Sequence, residues 1–377
     1  VSPVGYNGTF TVTAITASTI SYALAVNPGA YTVAGTVTGQ YQVTGTPYIT
    51  PPVSWTQSDD VLYLADGKQP VYQLVQTGTI QWTLSKVPFT GGPFLDINAS
   101  ATTLTPTATT ITASANTFAA TDVGRLLLCL NTLVEYNGTT GGSYMWCVIS
   151  GYTSPTAVST TQWYQTVGGL DTALTISGTP GATTLWAFGA WSNTTGYPAV
   201  LAMWQQRLLT GNESPTQSQT LRGSVAGYYT GFAPFDPDGT VNPDNSYSAQ
   251  INAGRADGIQ WISATQRLAV GTTGAEYLIG SSGPAITPTD MTILYQTALG
   301  SDGLVPPVAE NYRLMIMQRG NRQLQEWAYA YFVGGYMATW QNQMAAHITY
   351  PSITRMDYAL NPFPQLFLLR ADGQVIV

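Results

Sequence analysis

The sequence predicts an all-β protein with a β-propeller-like body, additional small β-sandwich or barrel domains and very little helix. Short runs rich in Val, Ile, Thr, Tyr and Trp recur along the chain, and turn signals with Gly, Asn, Asp or Pro separate them. Hydrophobic residues make up 44% of the 377 residues, which is enough to build cores. Short strands repeated in this way are typical of sheets arranged radially or packed face to face.

The first element is a small β module over residues 1–45. Residues 8–15 alternate polar with apolar side chains, and residues 31–38 form a Thr- and Val-rich run between glycines. Residues 46–98 predict a three-stranded antiparallel meander that belongs to the main body. The chain begins within a strand-like pattern rather than at a methionine, so we expect it to be part of a longer polypeptide.

Residues 99–182 change in composition to Thr, Ala, Ser and Gly, and we predict a β-sandwich or barrel inserted in the main body. Cys129 and Cys147 flank a predicted hairpin turn at Asn137-Gly138. They are either joined across two strands as a disulfide or remain as two inert core thiols.

Residues 183–377 are denser in aromatic and Arg residues and form the propeller-like core. Strands are predicted there near Ile259, Leu268, Glu276, Arg313 and Leu366. Helical character is predicted only for residues 198–208 and 340–347.

Charge excludes several classes of protein. Only 8% of the residues are charged, and 12 Lys and Arg stand against 19 Asp and Glu, for a net charge of −7. A protein that grips nucleic acid through its phosphates needs the opposite balance. No window approaches the 18 or more consecutive apolar residues of a spanning helix.

The sequence offers little for catalysis or metal binding, and we predict no enzyme, no catalytic residue, no cofactor and no metal site. His347 is the only histidine; it either closes a short helix through a hydrogen bond or has a catalytic or ligand role. Asp236, Asp238 and Asp244 cluster in one loop, and they fit turn chemistry, a cation site or a catalytic pair. They are weak cation-site candidates.

The aromatic residues of one segment allow two interpretations. Trp186, Phe188, Trp191 and Trp204 either stack on sugar rings or lie in a core. We favour the core interpretation, because the segment is apolar throughout.

The second half of the chain contains a series of characteristic stretches. They are Trp186-Ala-Phe-Gly-Ala-Trp-Ser, Gly196-Tyr-Pro-Ala-Val, Gln205-Gln-Arg-Leu, Gly258-Ile-Gln-Trp-Ile, Gln266-Arg-Leu-Ala-Val-Gly-Thr, Gly274-Ala-Glu-Tyr-Leu-Ile, Ile286-Thr-Pro-Thr-Asp, Val305-Pro-Pro, Gln318-Arg-Gly, Gln325-Glu-Trp-Ala-Tyr, Ala345-Ala-His-Ile and Arg370-Ala-Asp-Gly-Gln. In these stretches the chain resembles the tail nozzle family of short-tailed phages, also called tail tubular protein B. Residues 1–45 are similar to a small β module that phage tail proteins share with ubiquitin-activating enzymes, and this implies no ubiquitin chemistry.

The resemblance implies a structural protein of the virion, located in the phage tail. Its expected partners are further copies of itself in a ring, typically six, an adaptor ring above, tail fibres, and viral DNA that passes through without sequence-specific binding. The expected fold is a β-propeller-like body with additional β domains. We expect part of the carboxylate excess to face the channel and repel the DNA, which a channel lined mainly by Arg would contradict.

Arg is favoured at protein interfaces, so we predict that several arginines of this half lie at subunit contacts. The candidates are Arg207, Arg222, Arg255, Arg319 and Arg322. The alternative function is a glycan-binding or glycan-cleaving tail protein or a bacterial surface adhesin, which the Trp and Tyr content and the Asp cluster motivate.

Overall fold

The computed structural model describes residues 4–6, 8, 10, 12–15, 20–30, 52–78, 81–131, 142–176, 181–252, 254, 256–265 and 267–377. The protein is all-β, with 52% strand and no α-helix among these residues. Its short 3-10 helices are Val4–Tyr6, Ala120–Asp122 and Gln343–Ala345. The chain divides into two compact units, Val1–Tyr48 and Ile49–Val377.

The first unit contains an antiparallel pair of strands, β1 (Val12–Ile15) and β2 (Ile20–Tyr22). The rings of Phe10 and Tyr22 stack with centroids 4.7 Å apart. The Thr- and Val-rich run predicted at residues 31–38 lies outside the described residues.

The second unit is a five-bladed β-propeller, which confirms the predicted fold class. Blade 1 is the meander β3 (Ser54–Ser58), β4 (Val61–Ala65), β5 (Tyr72–Gly78) and β6 (Gln81–Lys86). The prediction of three strands here missed β3, whose short polar sequence Ser-Trp-Thr-Gln-Ser lacks an apolar run.

A β domain is inserted between blades 1 and 2. Its strands are β7 (Leu104–Pro106), β8 (Thr110–Ala113), β9 (Leu126–Asn131), β10 (Ser143–Ser154), β11 (Ala157–Thr160), β12 (Trp163–Val167), β13 (Leu170–Leu174) and β14 (Trp186–Phe188). The long strand β10 pairs with β9 and β12 near its start and with β11 near its end. One strand therefore joins two parts of the sheet around a shared core, as at the corner of a sandwich or barrel.

The remaining blades follow in chain order. Blade 2 contains β15 (Gly196–Trp204), β16 (Arg207–Pro215), β17 (Gln217–Gly223) and β18 (Tyr247–Gln250). Blade 3 contains β19 (Ile259–Ala264), β20 (Leu268–Thr272), β21 (Glu276–Gly280) and β22 (Thr292–Thr297). Blade 4 contains β23 (Val308–Glu310), β24 (Arg313–Met317), β25 (Leu324–Ala330) and β26 (Gly335–Trp340), and blade 5 contains β27 (Ile353–Ala359), β28 (Gln365–Arg370) and β29 (Val375–Ile376).

Hydrophobic clusters join consecutive blades. Leu201 and Leu208 pack with blade 1, Val200 and Leu209 pack with blade 3, and further clusters join blade 3 to blade 4 and blade 4 to blade 5. A central blade is thus buried on both faces, so its strands are apolar at successive positions. Among the clusters of the described residues, none combines blade 5 with blade 1.

This double burial explains why the helical prediction for residues 198–208 was wrong. Val200 and Leu201 face different clusters from one strand, so the segment lacks the alternation of a half-buried strand. It forms β15 and the start of β16, joined by Gln205 and Gln206 at φ angles of 47° and 58°. In residues 340–347, the helical part is a single 3-10 turn, Gln343–Ala345.

The segment that leads into the inserted domain and the segment that leaves it lie side by side. Phe94 and Gly189 form an antiparallel bridge, and the Ala190 amide donates a 2.8 Å hydrogen bond to the Pro93 carbonyl. The sheet of this domain extends to Phe188 in β14, beyond the predicted boundary at residue 182, because β14 pairs with β9.

Candidate functional site

Arg207 lies inside blade 2 rather than at the surface. Its guanidinium donates hydrogen bonds to the backbone carbonyls of Ser224, Pro243, Asp244 and Asn245, and it lies over the Tyr247 ring at 5.2 Å. Only 4% of Arg207 is exposed. Burial lowers the pKa of Arg207, and burial raises the pKa of Tyr247 to about 12. Arg207 therefore holds the loop between β17 and β18 in place.

Arg222 is buried in the same blade. It pairs with the buried Glu213 at 2.8 Å, and it donates to Gln217 and, at 3.0 Å, to the Ser248 hydroxyl. Neither Arg207 nor Arg222 presents its guanidinium at the surface of the subunit. Their assignment to subunit contacts is corrected accordingly: the polar groups that these arginines satisfy belong to their own blade.

Arg319 and Arg322 are exposed in the turn between β24 and β25. The guanidinium of Arg322 lies 5.1 Å from the centre of the Tyr350 ring. Both residues are available to another molecule, and their place at a subunit contact stays a prediction. Arg255 lies outside the described residues.

The acidic loop uses its side chains to fold on itself. Asp236 accepts hydrogen bonds from the side-chain amides of Asn242 at 2.8 Å and Asn245 at 3.4 Å, and Asp238 accepts one from the Thr240 amide at 2.9 Å. Asp244 is exposed. Within the described part of the chain, no group of three or more His, Cys, Asp or Glu is placed to hold a metal ion. The contacts favour turn chemistry for this loop.

The two cysteines are free thiols buried in the core of the inserted domain. Cys129 lies opposite Met145 and Cys147 lies opposite Leu127, so the pair is offset along the two strands. Burial raises the pKa of both thiols. Of the two alternatives, a disulfide or two core thiols, the structure confirms the two core thiols.

The aromatic segment that contains Trp186, Phe188, Trp191 and Trp204 packs in hydrophobic cores, which is the interpretation that we favoured over sugar binding. Trp186 is 7% exposed and packs in the inserted domain, where its indole donates to the Thr102 carbonyl at 3.0 Å. Phe188, Trp191 and Trp204 are half-buried.

His347 is exposed in the turn after Gln343–Ala345, and its carbonyl accepts a hydrogen bond from the Tyr350 amide.

Glu276 is a buried carboxylate that the sequence did not single out. It is fully buried in β21 and accepts hydrogen bonds from the Thr297 hydroxyl at 2.6 Å, the Leu299 amide at 3.1 Å and the Ser301 hydroxyl at 3.4 Å. Burial raises its pKa, although these donors act in the opposite direction. An acidic residue that starts an apolar strand is the only sequence signal for this site.

A groove lies between blades 3 and 4, with Trp327 in its lining. Its polar lining includes Thr265, Arg267, Asn311, Arg313 and Tyr336. Its volume of about 20 Å³ is about the space of one water molecule. The groove is suited to a water molecule rather than an organic substrate.

None of the described residues forms a helix long and apolar enough to cross a membrane. Comparison with models of known protein families gives no match, and no curated protein matches the sequence.

Proposed function

We propose that this chain is a structural protein of a phage virion, the ring that forms the nozzle at the lower end of a short tail. The observation that carries the proposal is the β-propeller body with an inserted β domain. This is the fold that the resemblance of the second half of the sequence predicts. The stretches that carry the resemblance begin at β14 of the inserted domain and continue through blades 2 to 5, so they belong to successive structural units.

The distribution of charge supports a passage for DNA rather than a DNA-binding surface. The buried charged side chains among the described residues are three arginines and three carboxylates: Arg125, Arg207, Arg222, Asp122, Glu213 and Glu276. Because these charges cancel, the net charge of −7 resides on the rest of the chain. Each phosphate contact would slow a passing duplex, and an acidic surface avoids such contacts.

In this role the chain assembles with further copies of itself, six in the typical ring, below an adaptor ring and beside tail fibres. The exposed turn with Arg319 and Arg322 supplies donors for subunit contacts. Viral DNA passes through the ring during ejection into the host, without sequence-specific binding.

A second candidate is a glycan-binding tail protein or adhesin. The observation in its favour is the exposure of Trp55, at 63%, and Trp82, at 49%, in blade 1. Exposed indole faces stack well on sugar rings.

Electron microscopy of the purified chain tests the proposal. Rings with a central hole, and no binding of duplex DNA in a gel-shift assay at low salt, are the expected results. Single subunits or trimers that bind sugars on a glycan array, with binding lost in Trp55→Ala or Trp82→Ala, would favour the second candidate instead.

A further inference from the structure

Blade 1 carries apolar side chains on the face that points away from blade 2. Tyr63 and Ala65 of β4 pack with blade 2, and alternate residues of a strand point to opposite faces. The strand register places six large apolar side chains together on the other face: Trp55, Leu62, Leu64, Leu74, Trp82 and Leu84. Trp55 is 63% exposed and Trp82 is 49% exposed, so this face is not fully covered within the subunit. We call it the blade 1 end face.

Blade 5 has a corresponding face that points away from blade 4. Met356 and Leu368 pack with blade 4. The register of β27, β28 and β29 places the alternate residues together on the opposite face: Arg355, Asp357, Phe367, Leu369 and Val375. Arg355, Asp357 and Val375 are exposed, and Phe367 and Leu369 are half-buried. We call this the blade 5 end face.

The packing that joins consecutive blades is not made between the last blade and the first. Where blades meet, the first strand of a blade is buried, as at Val200 of β15 and Ile259 of β19. In β3 and β27, by contrast, Trp55 and Arg355 are exposed on the two end faces. Among the described residues, no hydrophobic cluster combines the two blades.

The two end faces are the two halves of one kind of contact. Each interior blade of the chain packs a sheet face on the sheet face of the next blade. In repeat proteins a polar outer face on the terminal unit prevents further stacking, and the blade 1 end face lacks such a polar cover. A second copy of the chain supplies the matching sheet face, because it carries the blade 5 end face.

The polar groups of the two end faces also match. The first strands of neighbouring blades lie beside one another, since β15 contacts β3 and β19, and β23 contacts β27. The same packing between two copies places β27 of one beside β3 of the other. Arg355 pairs with no carboxylate among the described residues, and Arg stacks favourably on the face of Trp55. Asp357 is an acceptor for the side-chain amide of Gln57.

We infer that the blade 5 end face of one subunit packs on the blade 1 end face of a second copy, head to tail. Because the two surfaces differ, a pair of subunits keeps one free end face of each kind, and addition continues until a ring closes. The inference rests on the self-assembly in the proposed function and names the surfaces that meet.

Cross-linking of mixed cysteine variants tests the inference. Gln57→Cys and Asp357→Cys are made in separate full-length chains, at exposed positions of the two end faces. After mixing and treatment with a short bis-maleimide, a covalent dimer should form, and neither variant alone should give it. The wild type is the control, because Cys129 and Cys147 are buried. A chain that carries both substitutions should give a ladder of covalent multimers.

Sedimentation velocity measures the strength of the contact. Trp55→Ala and Arg355→Ala should each raise the dissociation constant for self-association at least about tenfold. Leu170→Ser is the matched control, because Leu170 is a 69% exposed apolar residue of the inserted domain. It should associate like the wild type, and urea midpoints should show that all variants fold alike.

The inference is overturned if the mixture gives no covalent dimer, or if the doubly substituted chain gives only an internally cross-linked monomer. It is also overturned if either single variant cross-links alone as well as the mixture does. Rings that form unchanged in Trp55→Ala and Arg355→Ala would overturn it while leaving the proposed ring in place. Open, cross-linkable chains of subunits that never close would support it and contradict the proposed ring.

Discussion

The carboxylate of Glu276 accepts a 2.6 Å hydrogen bond from the Thr297 hydroxyl, and the indole of Trp327 donates to that same hydroxyl oxygen at 3.0 Å. Glu276 and Thr297 belong to blade 3, whereas Trp327 belongs to blade 4. A buried carboxylate is therefore part of the contact between two blades.

Glu276→Gln should change how stability depends on pH. Burial raises the pKa of Glu276, so the folded state favours its protonated form more than the unfolded state does. The stability from this group is present below the ordinary pKa and is lost as the pH rises through the raised pKa. The free energy of unfolding of the wild type should therefore fall relative to Glu276→Gln as the pH rises above about 4. Urea denaturation of both proteins at a series of pH values measures this fall, and a difference that does not change with pH would contradict the prediction.

The buried pair of Arg222 and Glu213 should show strong coupling. Removing one partner leaves a buried charge without compensation, so Arg222→Met and Glu213→Leu should each cost about 3–5 kcal/mol. The double variant should be much less destabilised than the sum of the two. A double-mutant cycle in urea measures the coupling, and additive single effects would rule the pair out as a unit.

Arg207→Met should destabilise the subunit itself. It removes the donors from the buried hydrogen bonds to the Ser224 and Asn245 carbonyls, and each buried unpaired polar group costs about 1–3 kcal/mol. Arg207→Lys should recover only part of the loss, since an ammonium group cannot reproduce the planar arrangement of donors. Urea midpoints provide the measurement, with the exposed Lys86→Ala as control. A wild-type midpoint for Arg207→Met would show that the loop does not need this residue.

If the ring proposed above forms, Arg319→Ala and Arg322→Ala should weaken ring assembly without lowering the stability of the subunit. Because both side chains are exposed, unfolding free energies should stay within about 0.5 kcal/mol of the wild type. The ring fraction in sedimentation velocity should fall, and it should not fall in Lys86→Ala, which removes a charge elsewhere. Unchanged rings in both Arg variants would remove this turn from the interface.

The two thiols should resist modification in the folded protein. Burial raises the pKa of Cys129 and Cys147, and the reactive species is the thiolate. Ellman's reagent at about pH 8 should label neither cysteine in the native chain and both after unfolding in guanidinium chloride. Rapid labelling of the native protein would mean that the core of the inserted domain opens readily.

The sequence predicted the all-β class and many strands, because period-two patterns and turn residues are local signals. The strands that contain Leu268, Glu276 and Arg313 lie where expected. The 198–208 segment was misassigned for a non-local reason: burial on both faces comes from blades 1 and 3, which are distant in sequence. Local apolar patterns cannot separate a doubly buried strand from a helix.

The buried polar side chains were harder to predict from the sequence than the strands. Arg207 and Arg222 were assigned to subunit contacts, because Arg is favoured at protein interfaces. Their burial depends on carbonyls of the loop between β17 and β18 and on Glu213, and these come together only after blade 2 has formed. The Asp236 loop, in contrast, follows its own sequence, since its contacts are between near neighbours.

The antiparallel bridge between Phe94 and Gly189 joins the two ends of the inserted domain, and this affects how blades 1 and 2 meet during folding. Blades 1 and 2 are far apart in sequence, and closing a long flexible loop between them would slow their meeting. Once the inserted domain has folded, its two ends emerge together, and the intervening chain acts as a short tether. The early collapse of this Thr-rich domain would thus convert a distant blade contact into a local one, and its size could vary with little effect on propeller formation.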